Sequence, residues 1–389
     1  MDNNSWLILR DSDPAYKLPP DLAANDALGA RDCGWVEQMR PFIRHFSPPA
    51  GMVIDPFNGF GTTLVAASLE GRRGIGVELE PARAAIAEER LRRLDARNQT
   101  VLAGDLVEVA ASLPQADLVL TNAPYFGCRW QSAHDSDGQL YSASNYAGFL
   151  DMFYRVLKSL KPMLREGGYL IVMAENLRIG THFVPMAWDL GRMLAEHFNL
   201  VDERILLYER PTAPLPALDA GSNRAHEYAL IARNDRKPVD LQDSLRCLRE
   251  LAADFPEVLV YGGFARWLAG QKAERLPSDV DLLVPERVDL LCQLVRWFEA
   301  RGFQVTRWGQ PFGWQAAGTA LKGAHYFRAQ RLRASGELCI FDVCFDDALL
   351  QYDEALRAAA QVDGLNVLPS ARPPHSLRPE SSTVVSSTQ

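Results

Sequence analysis

The 389-residue sequence is short of several things, and each absence narrows what the chain can be. It has no CxxC pair. Its six cysteines, at 33, 128, 247, 292, 339 and 344, lie far apart, which excludes a zinc ribbon or a disulfide framework and leaves reduced thiols. Apolar runs such as Tyr169–Ala174 fall far short of the roughly 20 residues that span a bilayer. The opening MDNNSWLILRDSD has no basic stretch ahead of its four-residue apolar run. No signal peptide is read there, and a cytoplasmic protein with no membrane partner is expected. A basic excess is also missing. Against 41 Lys and Arg stand 49 Asp and Glu, for a net charge of −8; residues 1–238 carry −5 and the rest −3. Net charge therefore does not announce a nucleic-acid partner. The densest basic run, Arg90, Arg92, Arg93 and Arg97, reads at helical spacing as a solvated helix face. What remains is an ordinary globular composition, 47% hydrophobic and 23% charged, long enough for two or three domains.

The chain divides near Asn234–Asp243, a polar segment containing proline that follows the apolar run EYALIAR. The expected organisation is an N-terminal extension over 1–29, a first domain over 30–235, a linker over 236–243, a second domain over 244–369 and a tail over 370–389. The tail is rich in Pro, Ser and Thr without periodicity, and disorder is expected there. Before the break, strands (Met52–Ile54, Gly74–Val77, Thr100–Leu102, Asp117–Thr121, Tyr169–Met173) alternate with helices (Thr62–Glu70, Pro81–Leu94, Ala147–Leu164). That alternation predicts an α/β fold, a doubly wound and largely parallel sheet. The last two strands, Arg204–Tyr208 and Glu227–Arg233, have no helix between them and are expected to pair as an antiparallel edge. Ligands in such sheets bind beyond the C-terminal strand ends.

The chemistry-bearing residues fall at those ends. The first strand runs into Asp55-Pro56-Phe57-Asn58-Gly59-Phe60-Gly61-Thr62-Thr63, whose glycines allow a sharp turn and close ligand approach before a helix begins. No lysine follows, so this is not a triphosphate loop. Glu78, seventeen residues past Gly61, ends the second strand, where a carboxylate can take two ribose hydroxyls. Asp105 follows the third, where it can meet an adenine amine. The fourth strand ends in Thr121-Asn122-Ala123-Pro124-Tyr125.

DPF-x-G-x-G-T-T followed by a segment of the (T/S)-(D/N/S)-P-P-Y kind resembles the S-adenosylmethionine-dependent methyltransferases that modify exocyclic amines of DNA bases, N6 of adenine or N4 of cytosine. The resemblance covers roughly residues 30–235. It implies a class I methyltransferase-like sheet and a nucleic-acid partner, DNA ahead of RNA. It also implies S-adenosylmethionine held by Asp55, Pro56, Phe57, Gly59, Gly61, Thr62, Thr63, Glu78 and Asp105. Asn122 and the carbonyl of residue 123 would accept the two amine hydrogens of a flipped base, and Tyr125, after Pro124, would stack on it. Three departures are the alanine at 123, where the family has proline, the cofactor loop standing ahead of the amine cradle, where the subgroup with this loop often has the reverse order, and the absence of a long insert that could recognise a target. Substrate contact falls instead to the 127–144 loop, with Arg129, Trp130 and His134, and to the 210–223 loop.

In the second half, Gly262-Gly263 stands at a strand–helix turn, and Asp279 and Asp281 alternate with apolar residues, leaving the strand on one face. Two such carboxylates can share Mg²⁺ ions, and the glycine pair can cradle a triphosphate. Asp342 is an isolated acid in the apolar strand Leu338–Phe345. GG-x-A-R-x-L-x-G with S-D-V-D-L-L-V resembles the nucleotidyltransferase superfamily over residues 245–368. That implies a smaller α/β domain that takes an NTP with Mg²⁺ on Asp279, Asp281 and Asp342. A methyltransferase fused to such a domain fits modification or phage-defence systems. Two other readings stay open: nucleotide transfer as the main activity with the first domain regulatory, or a degenerate pair used as a binding module.

Overall fold

The computed structural model describes residues 4–27, 29, 30, 32–127, 139–209, 225–271, 276–345 and 350–369. The expected tail, and most of both loops assigned to substrate contact, lie outside these residues. The chain forms two compact units, Met1–Asp235 and Arg236–Gln389. No helix among the described residues is long and apolar enough to cross a membrane.

Among the described residues the first unit has ten strands: β1 (Trp6–Leu9), β2 (Met52–Asp55), β3 (Arg73–Glu78), β4 (Gln99–Ala103), β5 (Ala116–Asn122), β6 (Leu164–Ala174), β7 (Leu177–Ile179), β8 (His182–Val184), β9 (Asn199–Tyr208) and β10 (His226–Arg233). Eight form one sheet in the order β1-β9-β10-β6-β5-β2-β3-β4, while β7 and β8 pair as a separate hairpin. Only β10 runs antiparallel to its neighbours in the large sheet. The order reverses at β2 and β5, and the loops after those two strands therefore open onto a common crevice. Helices cover the sheet because their apolar residues fall on one stripe: Val36–Phe46 buries Val36, Met39, Phe42 and Ile43. Tyr146–Met163 buries Phe149, Phe153, Leu157 and Leu160 on the same principle.

Three expectations change here. β9 and β10 do pair antiparallel, but β10 lies inside the sheet, between β9 and β6. The edge is β1, drawn from the segment expected to be an extension; Trp6–Leu9 pairs in parallel with Ile205–Tyr208. The basic run also splits. Arg90 is only 1% exposed and donates to the carbonyls of Phe60 (2.9 Å) and Tyr16 (2.6 Å), while Arg92 and Arg93 pair with Glu89. A guanidinium has donors enough to satisfy orphan carbonyls of two loops at once, which explains why it repays burial there.

The second unit holds one eight-stranded mixed sheet of β11 (Leu259–Tyr261), β12 (Val280–Leu283), β13 (Gln304–Arg307), β14 (Gln310–Pro311), β15 (Tyr326–Leu332), β16 (Leu338–Cys344), β17 (Ala360–Val362) and β18 (Leu365–Leu368). Its order is β14-β13-β15-β16-β12-β11-β18-β17. The helices Leu241–Asp254 and Val288–Ala300 pack Leu248, Leu251, Leu294 and Phe298 into its core. Residues expected to be linker join this unit: Val239 bridges to Leu338, and the Asp240 carboxylate caps the first helix at the Asp243 N–H, 2.9 Å away.

Candidate functional site

In the first unit a cavity of about 500 Å³ opens over the reversal point, large enough for a nucleotide-sized ligand. Asp55, Pro56, Phe57, Gly59, Thr62, Thr63, Glu78, Asp105, Asn122, Pro124 and Tyr125 all line it. Gly61 does not. It caps the helix Thr62–Leu69 at φ 77°, a left-handed conformation that a side chain resists, and its would-be Cβ lies 3.4 Å from that of Ala87. The loop is pressed onto β3 as well: a side chain at Gly76 would overlap Asn58, whose N–H donates to the Val77 carbonyl at 2.9 Å.

The acids differ in their surroundings. Asp55 is buried and accepts from the Thr121 hydroxyl (2.7 Å) and the Phe57 N–H (3.0 Å); burial raises its pKa and these hydrogen bonds oppose the rise. Asp55 thereby ties the loop to the end of β5. Glu78 accepts N–H groups from Gly59 (2.8 Å) and Glu80 (3.0 Å), yet burial pushes its carboxyl up to about 7. Asp105 caps the helix Leu106–Val109 through the Val107 N–H at 2.8 Å.

Asn122 ends β5. Its Oδ1 is buried without a hydrogen-bond partner among the described residues, although the residue lines the cavity. Buried side-chain acceptors are paired in most folds, so an unpaired amide oxygen on a cavity-lining residue is an acceptor that a ligand donor could use. The Ala123 N–H is anchored to the Met173 carbonyl at 2.8 Å, which fixes the chain without the ring of a proline. Tyr125 is held at its hydroxyl, which donates to Glu227 Oε1 at 3.2 Å; burial and that carboxylate push its pKa well up, so it stays protonated.

Sequence reading missed Glu227. It lies on β10 and also accepts from Tyr208 (2.9 Å) and Gln38 Nε2 (2.6 Å). The strand was legible, but nothing in HEYALIAR shows that its one buried acid turns into the cavity. Arg83 was missed too. It pairs with Asp26 (3.0 Å) and Asp32 (2.8 Å), which straps the expected extension to the cavity wall.

In the second unit Asp281 and Asp342 are direct register partners on β12 and β16. Asp342 departs from the expected metal-ligand role. Arg328, its partner on β15, grips both its oxygens at 2.7 Å, and the pair is almost fully buried. A guanidinium there supplies the charge that a cation would supply. Gly262 takes a φ of 69°, which the turn requires. The Gly263 N–H lies near enough to the Asp281 carboxylate to oppose the rise of its pKa. Burial and the Asp342 charge raise both remaining carboxyls, and Asp279 raises Asp281 further. The three carboxyls lie close enough for Asp342 to raise the other two, while Arg328 offsets part of that charge.

Comparison with known proteins places the resemblance on the loop side of the cavity. The sequence pattern of a DNA methylase family matches residues 36–89. A curated Escherichia coli (strain K12) protein named as a methylase, YubD, is 50% identical over 44 residues, 11% of this chain and 19% of YubD. The matched part thus spans about a fifth of that relative. Among solved structures, TrmN from Thermus thermophilus aligns at 18% identity and a TM-score of 0.37, covering 54% of this chain and 52% of TrmN. SMU.1697c from Streptococcus mutans, described as a methyltransferase in complex with SAH, aligns at 15% identity and 0.33, covering 51% and 97%. Overlaps this loose say nothing about substrate.

Proposed function

We propose that the first unit is an S-adenosylmethionine-dependent methyltransferase that modifies an exocyclic amine of a nucleic-acid base, adenine N6 or cytosine N4, in DNA ahead of RNA. The observation that carries the reading is the unpaired Asn122 Oδ1 beside a cavity whose other end is the glycine loop and Glu78. When bound, the cofactor supplies an electrophilic methyl group on a sulfonium. Glu78 would take the ribose hydroxyls, with the Gly59 and Glu80 N–H groups keeping its oxygens in place. Asn122 accepts one amine hydrogen and the Ala123 carbonyl the other, which turns the nitrogen lone pair out of conjugation and toward the methyl donor. A neutral amide accepts without taking a proton, so it orients the amine; the nitrogen takes the methyl as the carbon–sulfur bond breaks and the resulting cation releases its proton to water. Glu227 holds the Tyr125 hydroxyl, which leaves the ring to stack on the base. Calorimetry and methyl transfer on Asn122→Ala test the assignment. Cofactor affinity should stay near wild type while turnover is lost; retained turnover removes Asn122 from the site.

For the second unit, Asp279 and the buried Asp281 support a nucleotide-binding role with Mg²⁺. In a thermal-shift titration, NTP with Mg²⁺ should raise the wild-type melting temperature and leave Asp281→Asn unmoved. No shift in wild type would leave the unit as a binding module without nucleotide chemistry.

A further inference from the structure

β7 and β8 form a hairpin that leaves the sheet directly after β6, with Glu175, a cavity-lining residue, at its root. On one face Ile179 rests against Gly127, two residues beyond Tyr125; a Cβ on that glycine would come within 3.2 Å of Ile179 Cδ1. The register sets Arg178 opposite Phe183 on the other face, so both side chains leave the hairpin on the side away from Ile179. Phe183 is 52% exposed, and Trp188, from the helix Met186–His197, is 49% exposed with its ring 5.8 Å from that of Phe183. Asn176 Oδ1 accepts the Ala187 N–H at 3.0 Å, which fastens the hairpin root to that helix and holds the two rings in one frame.

Two exposed aromatic rings and an arginine, on a hairpin and helix joined at a root whose Glu175 lines the cavity, match a strand of bases and phosphates better than a purely apolar partner. We propose that Phe183 and Trp188 form a base-stacking platform, with Arg178 meeting the backbone, that grips the nucleic-acid strand flanking the nucleotide placed in the cavity. The platform takes the role of the recognition insert that the sequence lacks. The proposal rests on the methyltransferase reading for the identity of the strand.

The test uses the full chain and fluorescein-labelled single- and double-stranded DNA 24-mers, followed by anisotropy at several salt concentrations. Phe183→Ala and Trp188→Ala should each weaken DNA binding by about tenfold, the loss of one stacked base. Trp188→Phe should restore most of it. Arg178→Gln should lower the salt slope by about one. S-adenosylmethionine affinity and melting temperature should not move in any variant. DNA affinity unchanged in all of them, or a changed sedimentation of Trp188→Ala without a change in DNA binding, overturns the platform. A wild type that binds S-adenosylmethionine but no DNA also overturns it and leaves the cofactor reading standing. One that binds DNA through these rings but not S-adenosylmethionine upholds the platform and defeats the cofactor reading.

Discussion

If Glu78 holds the cofactor's ribose as proposed, it trades stability for binding, and a Glu78→Gln substitution separates the two. Its carboxyl sits at about 7 in the folded chain against an ordinary 4.5, because burial penalises the charge more than the Gly59 and Glu80 N–H groups relieve it. The folded state therefore holds a proton that the unfolded state gives up between those values. Stability from this group is intact below pH 4.5 and is lost as pH rises through 7. The full loss is about 3 kcal/mol, two and a half pK units at 1.36 kcal/mol each. Glutamine removes the charge but leaves one backbone N–H without its acceptor, which returns about 1 kcal/mol. The net expectation at pH 8 is a gain of roughly 2 kcal/mol, or about 5 °C in melting temperature for a unit of this size. At pH 4.5 the variant should instead melt slightly below wild type. Cofactor binding moves the other way, because ribose hydroxyls need the carboxylate. Wild-type affinity for S-adenosylmethionine should fall about tenfold per pH unit below 7, and the variant should bind weakly with no such slope. Differential scanning fluorimetry and calorimetry across pH 5–9 read both. A variant less stable than wild type at pH 8, or a wild-type affinity flat from pH 5 to 8, would refute the reasoning.

Gly61→Val should weaken S-adenosylmethionine binding and lower the melting temperature, since it forces a β-branched residue to φ 77° against Ala87; wild-type affinity by calorimetry would contradict this. In the second unit, Asp342→Asn should destabilise by about 3–5 kcal/mol, because it strands the buried Arg328 charge. Asp281→Asn without metal should be neutral or stabilising, since it removes a carboxylate crowded by two others. Equal losses in both, measured by urea denaturation, would mean the three acids are equivalent. Ala123→Pro should keep or raise methyl transfer, because the carbonyl stays and only rigidity is added, although the N–H bond to Met173 is lost; an inactive but folded variant would show that this bond positions the cradle.

The alternation of strands and helices was legible because each of those segments is apolar at its own period, and Met52–Asp55, Arg73–Glu78 and Ala116–Asn122 form where the pattern puts them. The loop after β2 was legible for a different reason: glycine at two fixed places leaves few backbone alternatives. β1 was not, because four residues of WLIL look alike as a strand or a stray apolar patch, and its partner lies some two hundred residues on. Arg90 misled through charge, since spacing cannot tell a solvated arginine from one that caps two buried loops. Asp342 and Glu227 show the same gap in polar form. Each was visible as an acid in a strand, but whether it meets an arginine or a cavity depends on register with strands far away in sequence.

The central claim is that Asn122 and the carbonyl beside it orient a base amine toward a methyl donor. Its most direct test is mass spectrometry of nucleosides from DNA and RNA incubated with the purified chain and isotope-labelled S-adenosylmethionine, run beside Asn122→Ala. Wild type should yield labelled N6-methyladenine or N4-methylcytosine, and the variant, still binding the cofactor, should yield none. A label on oxygen or carbon, or an unchanged yield from Asn122→Ala, would contradict it.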